Sequence, residues 1–401
     1  MKVIIVGRDD HSRYIAKVLE SKKLLYRYYT FYYNKNNLLG KIIRKIKSNA
    51  TKRDRVSLKD EHIVNNLSKH LVYQILSKCL KIKYGIAIAN KISEDLFDLL
   101  VATKIRNADI YILTSQHSLF TMKKIKRKNP NAKIVLDVYA AHPEFRRKIY
   151  SKNYTNEKVY LPEDFSIKRI NQELILADKI VVPSDHVKKS ILSELNIAES
   201  KINVINYGCD CNNFYSIKEE KQTNNVKNLI YVGQVSKEKG VNYLIEALEE
   251  INSEGVQCRL TIIGKIISKE ILARIEENKK TINYIKYVPN AELVYYLNQS
   301  DIFVFPSLSE SFGMALAEAL ACGLPVITTK NADSIVKNRY NGLIIEENSV
   351  ESLTKAIRTL VYDNELRKNL SNNAQSSLKE FTWEKYCEKL IKLCEEMQED
   401  K

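Results

Sequence analysis

Short apolar runs recur along this chain, each followed by a stretch of helical periodicity, and that alternation restricts the fold more than any other feature. VIIVG (3–7) precedes a helix expected from about Ser12 to Ser21, and YRYYTFYY (26–33) reads as the next strand. ADIYILT (108–114), KIVLDVY (133–139) and KIVVPS (179–184) follow, with basic helical stretches between them. Runs this short and this continuously apolar are strands buried on both faces, hence parallel strands. The plan repeats in LIYVG (229–233), RLTIIG (259–264), NYIKYV (283–288), DIFVFPS (301–307) and PVITT (325–329). Two successive α/β units predict two doubly wound sheets, and 401 residues are enough for two domains.

The break falls at KEEKQTNNVKN (218–228), which is polar and lacks periodicity. The expected division is an N-terminal Rossmann-like domain over 1–210, a linker over 211–228, a second Rossmann-like domain over 229–382 and a last helix over 383–401. Facing one another, two such domains make a cleft into which the carboxyl ends of both sheets point, where ligands of this class bind.

Bulk properties remove several classes. No apolar run approaches the 18 residues of a spanning helix, and MKVIIVGRDD has too short an apolar core for a secretion signal. The seven cysteines are scattered, and Cys209 and Cys211 are too close for a usual metal pair, so they read as reduced cytosolic thiols. The net charge of +16 calls for an explanation. Its densest source is LLGKIIRKIKSNATKRDR (38–55), where Leu38, Leu39, Ile42, Ile43 and Ile46 form an apolar stripe beside a cationic face. That pattern is what an interfacial helix on anionic lipid looks like, so an anionic membrane surface is the expected partner, the alternative being a core-packed helix with a solvated basic face. No helix-turn-helix, zinc or aromatic RNA-binding pattern accompanies the charge, so nucleic acid is not an expected partner.

The densest chemistry lies in FPSLSESFGMALAEALACGLPVITT (305–329). Glu310 sits in a loop after an apolar strand, and Glu318 lies eight positions on, inside an Ala/Leu-rich helix starting near Gly313. A small-residue entry to a helix exposes unpaired N–H groups at the positive end of the dipole, a ready site for an anion. Glu310 at its mouth and Glu318 further along can accept hydrogen bonds from hydroxyls, so a nucleotide-sugar would fit. By spacing alone, one more strand–turn–helix unit with two solvated carboxylates fits as well.

This stretch resembles the Glu-x7-Glu signature of the retaining glycosyltransferases of family 4, with FPS before it and GLPV after it. LIYVGQVSKEKGVNYLIEAL (229–248) resembles the family's phosphate-binding turn and the helix after it. LTIIG (260–264), the NG at 341–342 and FTW (381–383) fall where the family has similar pieces. The resemblance covers most of residues 160–390 and is weak over the first 150. It implies the GT-B fold, an α/β arrangement of two Rossmann-like domains facing a central cleft, with the last helix, Trp383 to Met397, crossing back to the first domain.

Carried over residue by residue, the resemblance implies that Gly233 lets a phosphate approach the backbone and that Lys239 stabilises a departing nucleoside diphosphate. Glu310 would hold sugar hydroxyls and Glu318 the ribose, with the amides of Phe312, Gly313 and Met314 against sugar and phosphates. The family usually has Arg directly after the first glycine of that turn. Here it is Gln234, so half of a pyrophosphate clamp is absent or is supplied by another cation such as Lys265.

In the N-terminal half, His142 in DVYAAHPEF (137–145) follows a buried strand where the family often places a histidine, and His117 is its rival. Asp137 is placed to orient His142 or the acceptor. Gly7, Arg8 and His11 occupy the position of an acceptor loop, though with one glycine only. No Asp-x-Asp stands in a strand-end loop, so neither a metal nor any other cofactor is expected.

The expected function is transfer of a hexose from a nucleoside-diphosphate sugar to a saccharide or lipid-linked acceptor. Retention is implied by the resemblance, and catalysis would rest on His142, Lys239 and Glu310. Surface polysaccharide or glycolipid assembly is the expected setting, in the cytoplasm, peripheral on the membrane's inner face if residues 38–55 dock there. The alternative, motivated by Gln234, is a catalytically weak nucleotide-sugar-binding subunit.

Overall fold

The computed structural model describes residues 1–7, 10–30, 58–65, 76, 85–153, 164–209, 213–217, 226–332 and 334–399. Arg8, the basic segment 38–55, residues 31–33 of the second expected strand and residues 218–225 of the expected linker lie outside the described residues. The chain divides into two compact units. One is built from residues 1–182, 188–205 and 387–401, the other from 183–187 and 206–386.

The first unit carries a parallel sheet of seven strands: β1 (Val3–Val6), β2 (Leu25–Thr30), β3 (Ile63–Asn65), β4 (Ile110–Thr114), β5 (Lys133–Asp137), β6 (Lys179–Val182) and β7 (Ile202–Val204). Their order across the sheet is β3-β2-β1-β4-β5-β6-β7, so the direction of winding reverses between β1 and β4. The helices between them are α1 (Asp10–Ser21), α2 (Gly85–Lys104), α3 (Leu119–Lys128), α4 (Pro143–Asn153), α5 (Asp164–Leu176) and α6 (Asp185–Leu192). Every residue of β1 and β4 is buried, which is why these strands read as unbroken apolar runs. In α3 the buried side chains are Leu119, Thr121, Met122 and Ile125, and Lys126, Arg127 and Lys128 fill its last turn, where cations suit the helix dipole.

The second unit carries a parallel sheet of six strands in the order β10-β9-β8-β11-β12-β13. These are β8 (Lys227–Val232), β9 (Cys258–Ile263), β10 (Ile282–Ile285), β11 (Ile302–Phe305), β12 (Val326–Thr329) and β13 (Gly342–Ile345). Its helices are α7 (Val241–Ser253), α8 (Lys269–Glu277), α9 (Asn290–Asn298), α10 (Met314–Ala321), α11 (Val350–Tyr362), α12 (Asn364–Ser376) and the first residues of α13 (Trp383–Glu399). All residues of β11 and β12 are buried, and Phe303, Phe305 and Tyr231 stack across the neighbouring strands β8 and β11.

The apolar runs therefore mark the central strands and the edge strand β10, and the structure adds β3, β7 and β13 at the other sheet edges. Each is three or four residues long and partly exposed, too brief to show a pattern. Among the described residues no helix is long and apolar enough to cross a membrane.

Candidate functional site

In the second unit, two loops at the carboxyl end of the sheet are bound together. β8 and β9 leave the sheet so close to one another that a Cβ on Gly264, which sits at φ +150°, would lie 1.7 Å from the carbonyl oxygen of Gly233. No side chain is possible at that approach. The turn then runs from Gly233 to Gly240, fixed by Tyr231, whose hydroxyl donates to the Gln234 carbonyl at 2.7 Å. At its end, Lys239 Nζ donates to the Ser309 carbonyl at 3.0 Å and to Glu310 Oε2 at 2.7 Å, and lies 5.9 Å from the centroid of the Phe305 ring. The Leu308 amide donates back to the Glu238 carbonyl at 2.9 Å. Lys239 and Glu310 are therefore one ion pair, with side chains only 17% and 19% exposed.

Sequence reasoning missed what holds this loop. Thr328 Oγ1 donates to the Phe305 carbonyl at 2.9 Å and Asn331 Nδ2 to the Leu308 carbonyl at 3.0 Å. The hydroxyls of Thr329 and Ser334 donate to the carbonyls of Ser307 and Phe312. PVITT was legible as a strand. That its threonines serve the neighbouring loop follows only from the pairing of β11 with β12.

Gly313 enters α10 at φ +81°, a left-handed conformation that glycine adopts freely, and a Cβ there would meet Leu316 Cδ1 at 2.5 Å. Among the described residues the N–H groups of Phe312, Gly313 and Met314 have no acceptor, as expected at a helix start. One turn further, Glu318 is partly buried with Leu316, Ala317, Ala319 and Leu320 buried around it. Its carboxylate has no hydrogen-bond or ion-pair partner among the described residues, and burial pushes its pKa up to about 7. A half-neutral carboxyl without a partner, one turn from three free amides, is a strong local signature of a polar ligand site.

Gln234 is exposed, as is Lys265. The Val235 amide donates to the Lys265 carbonyl at 2.9 Å, so the two residues stand on adjoining strand exits.

In the first unit, the candidates gather where the strand order reverses, at the carboxyl ends of β1, β4 and β5. Gly7 is buried beneath α1, since a Cβ there would lie 2.3 Å from Ser12 Cβ, and its amide donates to the Tyr29 carbonyl at 3.1 Å. His11 Nδ1 stands 3.4 Å from Asp137 Oδ2. His117 is buried in the loop after β4, with Nδ1 3.9 Å from Glu94.

His142 is buried and occupied on both ring nitrogens. Nδ1 accepts from the Glu144 amide at 3.2 Å, which leaves Nε2 to donate to Asn171 Oδ1 at 2.7 Å. Desolvation lowers its pKa and keeps the ring neutral. The expectation that Asp137 orients His142 is therefore corrected. Asp137 ends β5 between β4 and β6, where His11 meets it, while Glu144 and Asn171 take both ring nitrogens of His142. Among the described residues no group of three or more His, Cys, Asp and Glu is arranged to hold a metal ion.

Comparison with known proteins places this geometry. Residues 215–377 match the family model of the glycosyl transferases group 1. An uncharacterized glycosyltransferase of Methanocaldococcus jannaschii is 33% identical over 170 residues, 42% of this chain and 48% of that protein. The capsular polysaccharide biosynthesis glycosyltransferase CapM of Staphylococcus aureus is 28% identical over 219 residues, 50% and 57% of the two chains. The chain thus spans about half the length of these relatives. The alpha-monoglucosyldiacylglycerol synthase of Acholeplasma laidlawii is 27% identical over 293 residues, 68% of this chain and 73% of that one.

Among solved structures, a sucrose-phosphate synthase of Thermosynechococcus elongatus superposes with a TM-score of 0.69 over 100% of both chains at 15% identity. Anabaena HepE in complex with UDP and glucose does so at 0.67 over 99% of this chain and 100% of that one, at 14% identity. At such identities the likeness speaks to the fold. Residues 215–377 therefore belong to the glycosyl transferases of group 1, and the chain that carries them has the GT-B fold.

Proposed function

We propose that this protein transfers a hexose from a nucleoside-diphosphate sugar to a saccharide or lipid-linked acceptor, with retention of anomeric configuration. The observation that carries the donor half is the Lys239–Glu310 pair set next to the free amides of Phe312, Gly313 and Met314, with Glu318 one turn away. In this reading Lys239 and the helix-end amides stabilise the negative charge that develops on the leaving diphosphate. Glu310 accepts from the sugar hydroxyls while holding Lys239 in place, and Glu318 takes the ribose hydroxyls that its carboxylate otherwise lacks. Gly233 leaves room for phosphate, and Lys265 offers the second cation that Gln234 does not.

On the acceptor side the reading uses His11, held by Asp137, together with His117, Gly7 and Arg8; the occupied ring of His142 suits a fixed wall better than a proton carrier. Retention would follow front-side attack, with the leaving phosphate taking the acceptor proton and no metal required. A lipid-linked acceptor draws support from the Acholeplasma relative, named for a glucosyldiacylglycerol, and from the basic segment 38–55 as a dock on anionic membrane. CapM, named for capsular polysaccharide, supports a saccharide acceptor at a cell surface. In this reading the protein works at the cytoplasmic face of the membrane.

A thermal-shift screen with UDP, GDP, ADP and dTDP and their sugars identifies the donor, and transfer by purified protein to a lipid or oligosaccharide acceptor tests the reaction. Activity that survives EDTA is expected. Loss restored by Mg²⁺ would overturn the metal-free mechanism. Gln234 motivates a second reading, a nucleotide-sugar-binding subunit with little activity of its own. Donor binding without hydrolysis or transfer would favour it.

A further inference from the structure

The loop that carries His117 is held by a device the proposed reaction does not yet use. Glu173, on α5, is fully buried, and its two carboxylate oxygens accept from the amides of Gln116 at 2.6 Å and Ser118 at 2.9 Å. These are the residues immediately before and after His117. Among the described residues Gln116 is one of four non-glycine residues with positive φ, at 73°, so the backbone here takes a conformation that something must hold. One helical turn from Glu173, Arg169 brings its Nε to 3.3 Å from Glu173 Oε1 and pairs with Asp95 and Asp98 on α2. Asp98, also buried, accepts from the amides of Phe120 at 2.7 Å and Thr121 at 2.9 Å.

The work of these two carboxylates differs. Asp98 caps the first turn of α3, an ordinary structural role. Glu173 instead brackets a single residue outside the helix proper. Burying a carboxylate is expensive, and a polar cap at Ser118 with an apolar residue at 173 would finish the helix at less cost. What the bracket adds is a fixed backbone on both sides of His117, whose ring then stands toward Glu94 at the point where the sheet's winding reverses.

We propose that Glu173 is a positioning residue for the acceptor half of the reaction: by holding the amides of Gln116 and Ser118 it sets the imidazole of His117 at the carboxyl end of β4. The proposal rests on the reading that His117 serves the acceptor.

The test uses the full chain with histidines labelled for NMR, the His117 signals being assigned by their loss in His117→Gln. Glu173→Gln keeps shape and one acceptor but cannot bracket both amides. Glu173→Asp keeps the charge opposite Arg169 and falls one methylene short, so it serves if the first variant does not fold. In either, the ring shifts of His117 should move while those of His62 stay, and turnover with acceptor should fall roughly 10- to 100-fold, the scale of a slight misplacement of a reacting group. UDP affinity, which belongs to the other unit, should stay within about twofold. In the His117→Gln background, Glu173→Gln should lower turnover no further.

Unmoved His117 signals, or an equal loss of turnover from Glu173→Gln with and without His117, would overturn the proposal. Wild-type turnover in His117→Gln would sink the acceptor reading alone, and the NMR comparison would still decide the bracket.

Discussion

In the second unit, Glu318 carries a largely buried carboxylate with no partner among the described residues. Its pKa of about 7 makes two expectations separable. In the reading above, the charged form accepts from ribose. At pH 6 only about one carboxyl in ten is ionised, so nucleotide affinity should be about tenfold weaker at pH 6 than at pH 8. Glu318→Gln should abolish that excess over the nucleotide's own titration and weaken binding at pH 8, as calorimetry with UDP or GDP would show. Equal affinity in both proteins at pH 8 would refute the ribose assignment.

Stability should move the other way. A carboxyl raised from its ordinary 4.5 to about 7 favours the folded protein below pH 4.5 and loses that advantage as pH rises through 7. Glu318→Gln should therefore raise Tm at pH 8 and leave it nearly unchanged near pH 4.5. Lys239 is the matching cation. Lys239→Ala should lower turnover about 100-fold, the scale of one preorganised stabiliser of developing charge. Glu310→Ala should lower turnover while leaving UDP affinity equal or higher, since it releases Lys239 from its partner.

At the scale of elements, the entry to α10 depends on Gly313. An alanine there must take φ +81° and press its Cβ toward Leu316, so Gly313→Ala should cost about 1–3 kcal/mol and lower Tm by several degrees. A calorimetric melt with no change in Tm would mean that the turn can rebuild itself. This scale also shows what the sequence could convey. The central strands were legible because burial on both faces makes them continuously apolar, and the Glu310–Glu318 spacing was legible because one loop and one helix carry both.

Long-range partners were not legible. His11 lies 126 positions before Asp137, and Arg169 on α5 reaches Asp95 and Asp98 on α2 across β4, α3, β5 and α4. Only the strand order β1-β4-β5 brings such residues together, and nothing in their local spacing encodes it. A histidine after a buried strand looked available at 142, whereas the distant Asn171 and the amide of nearby Glu144 occupy its ring.

For the whole molecule, the net charge of +16 remains the largest unassigned property, and its densest source is residues 38–55. Seven basic residues at about 1 kcal/mol each near an anionic surface suffice for reversible docking that fades within a Debye length. Liposome co-sedimentation should show binding to phosphatidylglycerol vesicles at low salt and release at high salt. Equal partition to neutral vesicles would refute the electrostatic account, and Lys/Arg→Gln changes within 38–55 should abolish the binding if that segment is its source.

The composition of the first unit from both ends of the chain has a consequence for how the protein is made. Residues 387–399 of α13 group with that unit, yet they leave the ribosome only after all of residues 206–386. At ordinary synthesis speeds of 5–20 residues per second, that interval is roughly 10 to 40 s. Throughout it the nascent first unit waits without the helix that buries Leu390, Ile391 and Cys394, while the second unit receives nearly everything it needs in one uninterrupted stretch. The later-synthesised unit is thus the one able to finish folding first.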